Sequence, residues 1–249
     1  MISIRNVSKR FGAQQVLRNV SLEIEAGEIL AVVGPSGVGK SVLLKLIMGM
    51  LAPEEGEIFI KNASITAAKS EADRNAIRCS MGVLFQSAAL FDSLSIYENV
   101  AFPLRERTNL SKTEIHTKVV AMLESLSLEA YAWALPQEIS LGMQKRVGLA
   151  RSLITEPKVL LFDEPNTGLD PLVGQEVYDL IKFTHARRGF TGVVISHEIP
   201  EVFQVSHRVA MLLNGRIVAI GSPAELSASN DPAVAQFLQG KIDGPIRIQ

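Results

Sequence analysis

Apolar positions along the chain fall into two kinds of run. Ile29-Leu30-Ala31-Val32-Val33, Val159-Leu160-Leu161-Phe162 and Val193-Val194-Ile195 are continuous, the pattern of strands buried on both faces of a parallel sheet. Shorter β-branched runs at Ile2–Val7, Val20–Ile24 and Ile58–Ile60 lie between turn signals and predict an antiparallel layer. Ala26-Gly27-Glu28 reads as the turn that delivers the chain into the strand at Ile29. From Ser87 to about Ile154 the pattern becomes helical. Ser111 and Glu114 have capping-box spacing, and Ile115, Val119, Met122, Leu123 and Leu126 then recur at three- and four-residue intervals, a stripe that reads as packing. Val209–Leu213 and Ile217–Ile220 flank Asn214-Gly215-Arg216, a hairpin signal because Asn-Gly accepts positive φ at both central positions. Ser222-Pro223-Ala224-Glu225 is a second capping box, with proline at the first helical position. There is no internal repeat and no low-complexity segment.

One stretch adds chemistry to this pattern. Gly34-Pro35-Ser36-Gly37-Val38-Gly39-Lys40-Ser41 satisfies G-x-x-x-x-G-K-[ST] between the Ile29–Val33 strand and an apolar run, Val42–Met48, of helical type. Glycines let the backbone fold its N–H groups around an anion at the positive end of a helix, so the expected ligand is a phosphate chain. In that geometry Lys40 reaches the β and γ phosphates and the Ser41 hydroxyl holds Mg²⁺. A glycine turn closing an ordinary βα unit is the bland alternative, and the strand-loop-helix context weighs against it.

Composition changes the picture little. The chain has 249 residues, 47% hydrophobic and 20% charged, enough to bury a core as one large domain or two small ones. A formal net charge of −1 offers no basic footprint, so nucleic acid is not favoured as a partner. The single cysteine, Cys79, excludes an internal disulfide and points to a reducing compartment. No basic-then-apolar leader opens the sequence, and the longest apolar stretch, near Leu46–Ala52, is far short of the roughly 20 residues that span a bilayer. A cytoplasmic protein is expected, yet its mean hydropathy of +0.21 is high for one and suggests a surface that docks elsewhere.

Phe162-Asp163-Glu164 closes an apolar strand with two adjacent carboxylates, where a doubly wound sheet holds its ligands. Asp163 is expected to anchor Mg²⁺, and Glu164 to polarise the water that attacks the γ phosphate. His197, just past the Val193–Ser196 strand, is expected at the same edge as a hydrogen-bonding contact to that phosphate. Phe11-Gly12 is a plausible aromatic platform, with burial in the core an equal alternative. His116, His185 and His207 have no such placement.

With Ile139-Ser140-Leu141-Gly142-Met143, followed by Gln144-Lys145-Arg146-Val147, the chain resembles the ATP-binding cassette (ABC) ATPases. The resemblance runs from Ile2 to about Leu226. It implies that Phe11 stacks on adenine, that Gln86 contacts the Mg²⁺ and γ phosphate, that Gly168-Leu169-Asp170 is a nucleotide-contacting loop, and that His197 is the switch histidine. Ser140 and Gly142 would touch ATP held by the opposite subunit. The departure is Leu141, where most relatives carry glycine; those contacts remain if its side chain turns away. The implied fold is an α/β P-loop NTPase core with an antiparallel β layer (1–86 and 156–226), an inserted helical subdomain (87–155) and a C-terminal tail (227–249).

The segments Phe85–Leu94 and Tyr97–Glu106, with the tail Gln236–Gly240 and Asp243-Gly244-Pro245, further resemble the branch serving MCE-type lipid transporters, which includes the maintenance-of-lipid-asymmetry (Mla) systems. That implies an ATPase peripheral on the cytoplasmic face of the inner membrane. Its partners would be a second copy in an ATP-sandwich homodimer, an integral-membrane permease, an MCE-domain substrate-binding protein and a small STAS-type accessory protein. Ala88, Ala89, Leu90 and Phe91 are candidates for the permease groove, each also open to plain burial. An ABC importer of a small polar solute is the nearest alternative; a cassette acting on nucleic acid or ribosomes, or one that no longer hydrolyses, are more distant ones.

Overall fold

The computed structural model describes residues 1–246, apart from the side chain of Pro200. The chain opens with β1 (Ile2–Phe11), β2 (Gln14–Ile24), β3 (Ile29–Val33), α1 (Lys40–Ile47), β4 (Glu55–Ile60), β5 (Ala63–Ser64) and α2 (Glu71–Arg78). There follow β6 (Met81–Leu84), α3 (Ile96–Arg107), α4 (Lys112–Ser125), α5 (Leu141–Leu153), β7 (Val159–Asp163) and α6 (Pro171–Arg188). It then continues through β8 (Thr191–Ile195), α7 (Ile199–Val205), β9 (Arg208–Leu213), β10 (Arg216–Gly221), α8 (Pro223–Ser227) and α9 (Pro232–Gln239). Two compact units result, one of 1–78 with 191 onward, the other of 79–190.

In the first unit β2, β1, β4 and β5 form an antiparallel sheet in that order, the layer that the β-branched runs predict. Its strands are longer than those runs. β1 continues past Val7 to Phe11 because bulges let it turn, with register shifts between Ile4 and Val7 where Asn6 sits at φ 52. Beside it β3 pairs in parallel with β8 and β9, and every residue of β3 and β8 is buried. β9 and β10 close as a hairpin through Asn214 and Gly215, at φ 49 and 75, as the Asn-Gly signal requires. A Cβ on Gly215 would lie 2.5 Å from the Val16 carbonyl oxygen, so the same glycine lets the turn seat on β2.

α1 buries Leu43, Leu44, Leu46 and Ile47, each contributing ~1.5–3 kcal/mol of apolar burial. α2 has no buried residue, and its only apolar side chains are Ala72, Ala76 and Ile77, too few to mark a helix by periodicity. Arg78 ties it down, donating to the Met48 and Gly49 carbonyls at 2.9 and 2.6 Å. In the tail, Gln236 of α9 is buried and holds the chain end through Ile242 and Ile246; residues 247–249 of the expected tail lie outside the described residues.

In the second unit β6 and β7 run parallel, Met81 opposite Val159 and Leu84 opposite Phe162. α5 packs on β6 at a separation that only small residues permit. A Cβ on Gly82 would meet the Ser152 carbonyl oxygen at 2.3 Å, and one on Gly148 would meet the Leu84 and Ala88 side chains at 2.7 and 3.2 Å. α4 starts at the capping box of Ser111 and Glu114 and buries Ile115, Val119, Met122 and Leu123, the expected stripe. α3 starts at a box of the same kind, Ser95 with Glu98. Each such cap is worth about 1 kcal/mol.

Candidate nucleotide-binding site

The first unit carries Phe11, the loop from Gly34 to Val42, and His197. Buried β3 ends at Val33 and α1 begins at Lys40, with Gly34, Gly37 and Gly39 at φ 149, 76 and 111. The three glycines answer to different constraints. A Cβ on Gly34 would sit 2.2 Å from the Leu212 carbonyl oxygen, and one on Gly39 2.9 Å from Val16 Cγ1, so both are pressed against neighbouring strands. Nothing lies within 4 Å of a Cβ on Gly37, which faces open space. Pro35, Ser36 and Val38 complete the curve.

No side chain caps α1 at Gly39, and its first turn has no acidic residue. The Lys40 ammonium folds over the loop and donates to the Gly34 and Pro35 carbonyls at 2.8 and 3.0 Å. Positive-φ glycines, an uncapped helix start, a cation and open space form a donor set that fits a polyphosphate. Ser41 and Val42 follow on the first turn of α1, both half-buried. Phe11 ends β1 and is 47% exposed, which decides against a core role; Lys9 Nζ lies 5.2 Å from its ring centroid. His197 is exposed, two residues past β8 and ahead of α7.

The second unit carries Gln86, Ser140, Gly142, Asp163, Glu164 and Asp170. Asp163 is the last residue of β7, and Glu164 follows in the left-handed region at φ 48, a conformation that non-glycine residues adopt at a cost of about 1–2 kcal/mol. The turn is held from within: Thr167 donates from its amide to the Glu164 carbonyl at 3.3 Å and from Oγ1 to Oε2 at 3.1 Å. Further along, buried Tyr178 donates to Asn166 Oδ1 at 3.1 Å. Asp170 caps α6, accepting from the amides of Leu172 and Val173, both at 3.1 Å.

Ser140 is the exposed N-cap of α5, its Oγ accepting from the Met143 amide at 3.3 Å, which leaves its O–H as a donor. Leu141 is the first helical residue and is not among the positive-φ residues. Its side chain is 40% exposed and its Cδ2 would be 3.6 Å from a Cβ on Gly168, so Leu141 occupies space that Gly168 leaves open. Gly142 is buried because Val173 fills the place of its Cβ, 2.5 Å from Cγ1.

One expectation needs correction. Ala88 is fully buried and cannot line a docking groove; it is occluded beneath α5. Ala89 and Phe91 are exposed and Leu90 is partly so. Phe91 packs against Phe102 with the rings tilted at 52° and their centroids 4.8 Å apart, and buried Asn99 holds the loop, donating to the Phe91, Leu94 and Ser95 carbonyls and accepting from the Phe91 amide at 2.8 Å.

Sequence reasoning also missed Lys145, 1% exposed in α5, whose Nζ donates to the Gln86 carbonyl oxygen. Burial pushes its ammonium below the usual lysine range, and the Glu164 and Asp163 carboxylates pull it partly back. Its signal was present: Lys145, Gly148 and Ser152 share one face at helical spacing, and a lysine beside a glycine on a buried face is out of pattern.

Comparison with known proteins identifies the family. Residues 17–167 match the family described as ABC transporter. The intermembrane phospholipid transport system ATP-binding protein MlaF of Escherichia coli (strain K12) is 41% identical over 246 residues, 99% of this chain and 91% of that protein. Its namesake in Haemophilus influenzae is 38% identical over 249 residues, covering 100% of this chain and 94% of that one. Among solved structures, the dimeric post-hydrolysis state of the ATP-binding cassette MJ0796 bound to ADP and Pi superposes with a TM-score of 0.81 at 32% identity, over 90% of this chain and 99% of that one. The sequence motifs, the α/β architecture with its antiparallel sheet, and these full-length likenesses agree: the chain belongs to the ABC transporter family as an ATP-binding, ATP-hydrolysing subunit.

Proposed function

We propose that this subunit spends ATP to move phospholipid through a membrane permease of the MCE/Mla type. The ATPase assignment is carried by the loop after β3, where three positive-φ glycines and Lys40 curl at the uncapped start of α1. The lipid cargo is supported by similarity along the whole chain to ATP-binding proteins named for intermembrane phospholipid transport. No helix among the described residues is long and apolar enough to cross a membrane. The chain would work on the cytoplasmic face of the inner membrane, beside an MCE-domain protein and a small STAS-type subunit.

In this reading the loop amides and Lys40 bind the β and γ phosphates, and Phe11 stacks on the base. Ser41, Asp163 and Gln86 would supply hard oxygen ligands for Mg²⁺, which would neutralise charge on the phosphates. Glu164 orients the attacking water and accepts its proton, while His197 donates to the γ phosphate. Ser140, Gly142 and Asp170 contact nucleotide on the opposite subunit of a homodimer, so ATP joins the two copies and hydrolysis releases them. Binding energy available only in the closed dimer then biases the permease between conformations.

Glu164→Gln tests the chemistry. Steady turnover should vanish while ATP still binds, and dimers should persist on a sizing column. Loss of ATP binding itself, or unchanged turnover, overturns the assignment. Phospholipid transfer between reconstituted vesicles, compared with uptake of small polar solutes, separates the cargo from the nearest alternative.

A further inference from the structure

Two long cationic side chains leave α5 and end on the same short piece of main chain. Lys145 donates to the Gln86 carbonyl. Arg151 donates through Nη2 to the Ala88 carbonyl at 2.7 Å and through Nη1 to the Ala89 carbonyl at 2.8 Å. Within that piece Ala88 and Ala89 are both left-handed, at φ 59 and 49. Two consecutive non-glycine residues in this region are strained, and an unheld loop would relax. The guanidinium bridges the two carbonyls that this strained conformation turns toward α5.

Lys145 is an expensive way to satisfy one carbonyl. It is 1% exposed, and removing an ammonium from water carries a desolvation penalty that a neutral donor avoids. Close approach makes the contact possible, since Gly148 brings α5 against Leu84 and Ala88, on either side of Gln86. The helix so anchored begins at Ser140.

We propose that Lys145, with Arg151, is a positioning residue: the two side chains fasten the Gln86 main chain to α5, so that Gln86 is presented in one setting and moves together with the helix that starts at Ser140. This rests on the role proposed above for the Gln86 side chain. In Lys145→Met the donor is lost; in Lys145→Gln an amide N–H can reach toward the same carbonyl without charge.

The test uses the full chain with both variants and with Gln86→Ala. Amide hydrogen exchange over residues 86–89 is followed without nucleotide, and kcat and KM are measured with Mg-ATP. In Lys145→Met, exchange should speed about tenfold and kcat fall about tenfold, with KM changed less than about twofold. Lys145→Gln should restore most of the protection and of kcat. Unchanged exchange in Lys145→Met overturns the proposal, as does a Gln variant no better than the Met one. If Lys145→Met does not fold, exchange in Lys145→Gln within about threefold of wild type supports the proposal and a larger rise overturns it. If Gln86→Ala keeps full kcat while exchange behaves as expected, the fastening stands and the role of the Gln86 side chain falls.

Discussion

Replacing Gly148 by alanine sets two effects of known size against each other. In an isolated helix the change is favourable by about 1 kcal/mol, because alanine loses less backbone entropy. Here the added methyl would lie 2.7 Å from Leu84 Cδ1, 3.2 Å from Ala88 Cβ and 3.5 Å from Ala88 Cα. Carbon atoms pack at about 3.5–4.0 Å, so the first two contacts must open by several tenths of an ångström. The Leu84 methyl ends a flexible side chain but is fully buried, and Ala88 is held by Arg151 through its carbonyl. Overpacking of this kind costs about 1–3 kcal/mol, so the net expectation is a loss of about 1 kcal/mol, with a range of about 0–2. Denaturant unfolding followed by far-ultraviolet circular dichroism measures it, and turnover should fall because the Gln86 segment is displaced. Gly174→Ala is the internal control: in α6 the nearest atom to the new methyl is Asn166 Cβ at 3.4 Å, so the propensity gain should survive. If Gly148→Ala is the more stable protein by about 1 kcal/mol with unchanged turnover, the close-packing argument is wrong.

Gly34→Ala would press a methyl into the Leu212 carbonyl at 2.2 Å, so a loss of more than about 2 kcal/mol in stability, with nucleotide binding abolished, is expected from thermal melts and nucleotide titration. Asp170→Ala removes a cap accepting two amide bonds and should cost about 1 kcal/mol in denaturant unfolding, while Asp170→Asn should retain most of it. Glu98, Glu114 and Glu225 are each held below the ordinary glutamate range by hydrogen bonds within their capping boxes. Because their folded values lie below the unfolded one, their contribution is complete above about pH 4.3 and disappears as pH falls through the folded values. The thermal midpoint should therefore drop on acidification below that point, and less steeply when all three are glutamine.

What could be read from the chain was local. The continuous runs became β3, β7 and β8, and Asn214-Gly215 became the β9–β10 turn. The boxes at Ser111 and Ser222 began α4 and α8, and the glycine loop appeared between its strand and helix. Each of these follows from bonds and torsions within a few residues, where side-chain type alone narrows the choice. The unpredicted pieces depend on contacts made across sequence. α2, mostly polar and with no buried residue, is anchored by Arg78 to carbonyls about thirty residues back. The expected docking residue Ala88 is buried because α5, sixty residues later, covers it.

Sequence by itself determined the chemistry on offer: a phosphate-binding loop, a carboxylate pair closing a strand, a serine starting a helix. Only the tertiary structure decided what holds the segments around them, through Lys145 and Arg151 on the main chain from Gln86 to Ala89 and Tyr178 on Asn166. Residue type states which bonds a side chain can make. Which carbonyl a buried ammonium will meet depends on how closely a helix approaches a strand, and that distance is set by the combined volume of side chains far apart in the chain.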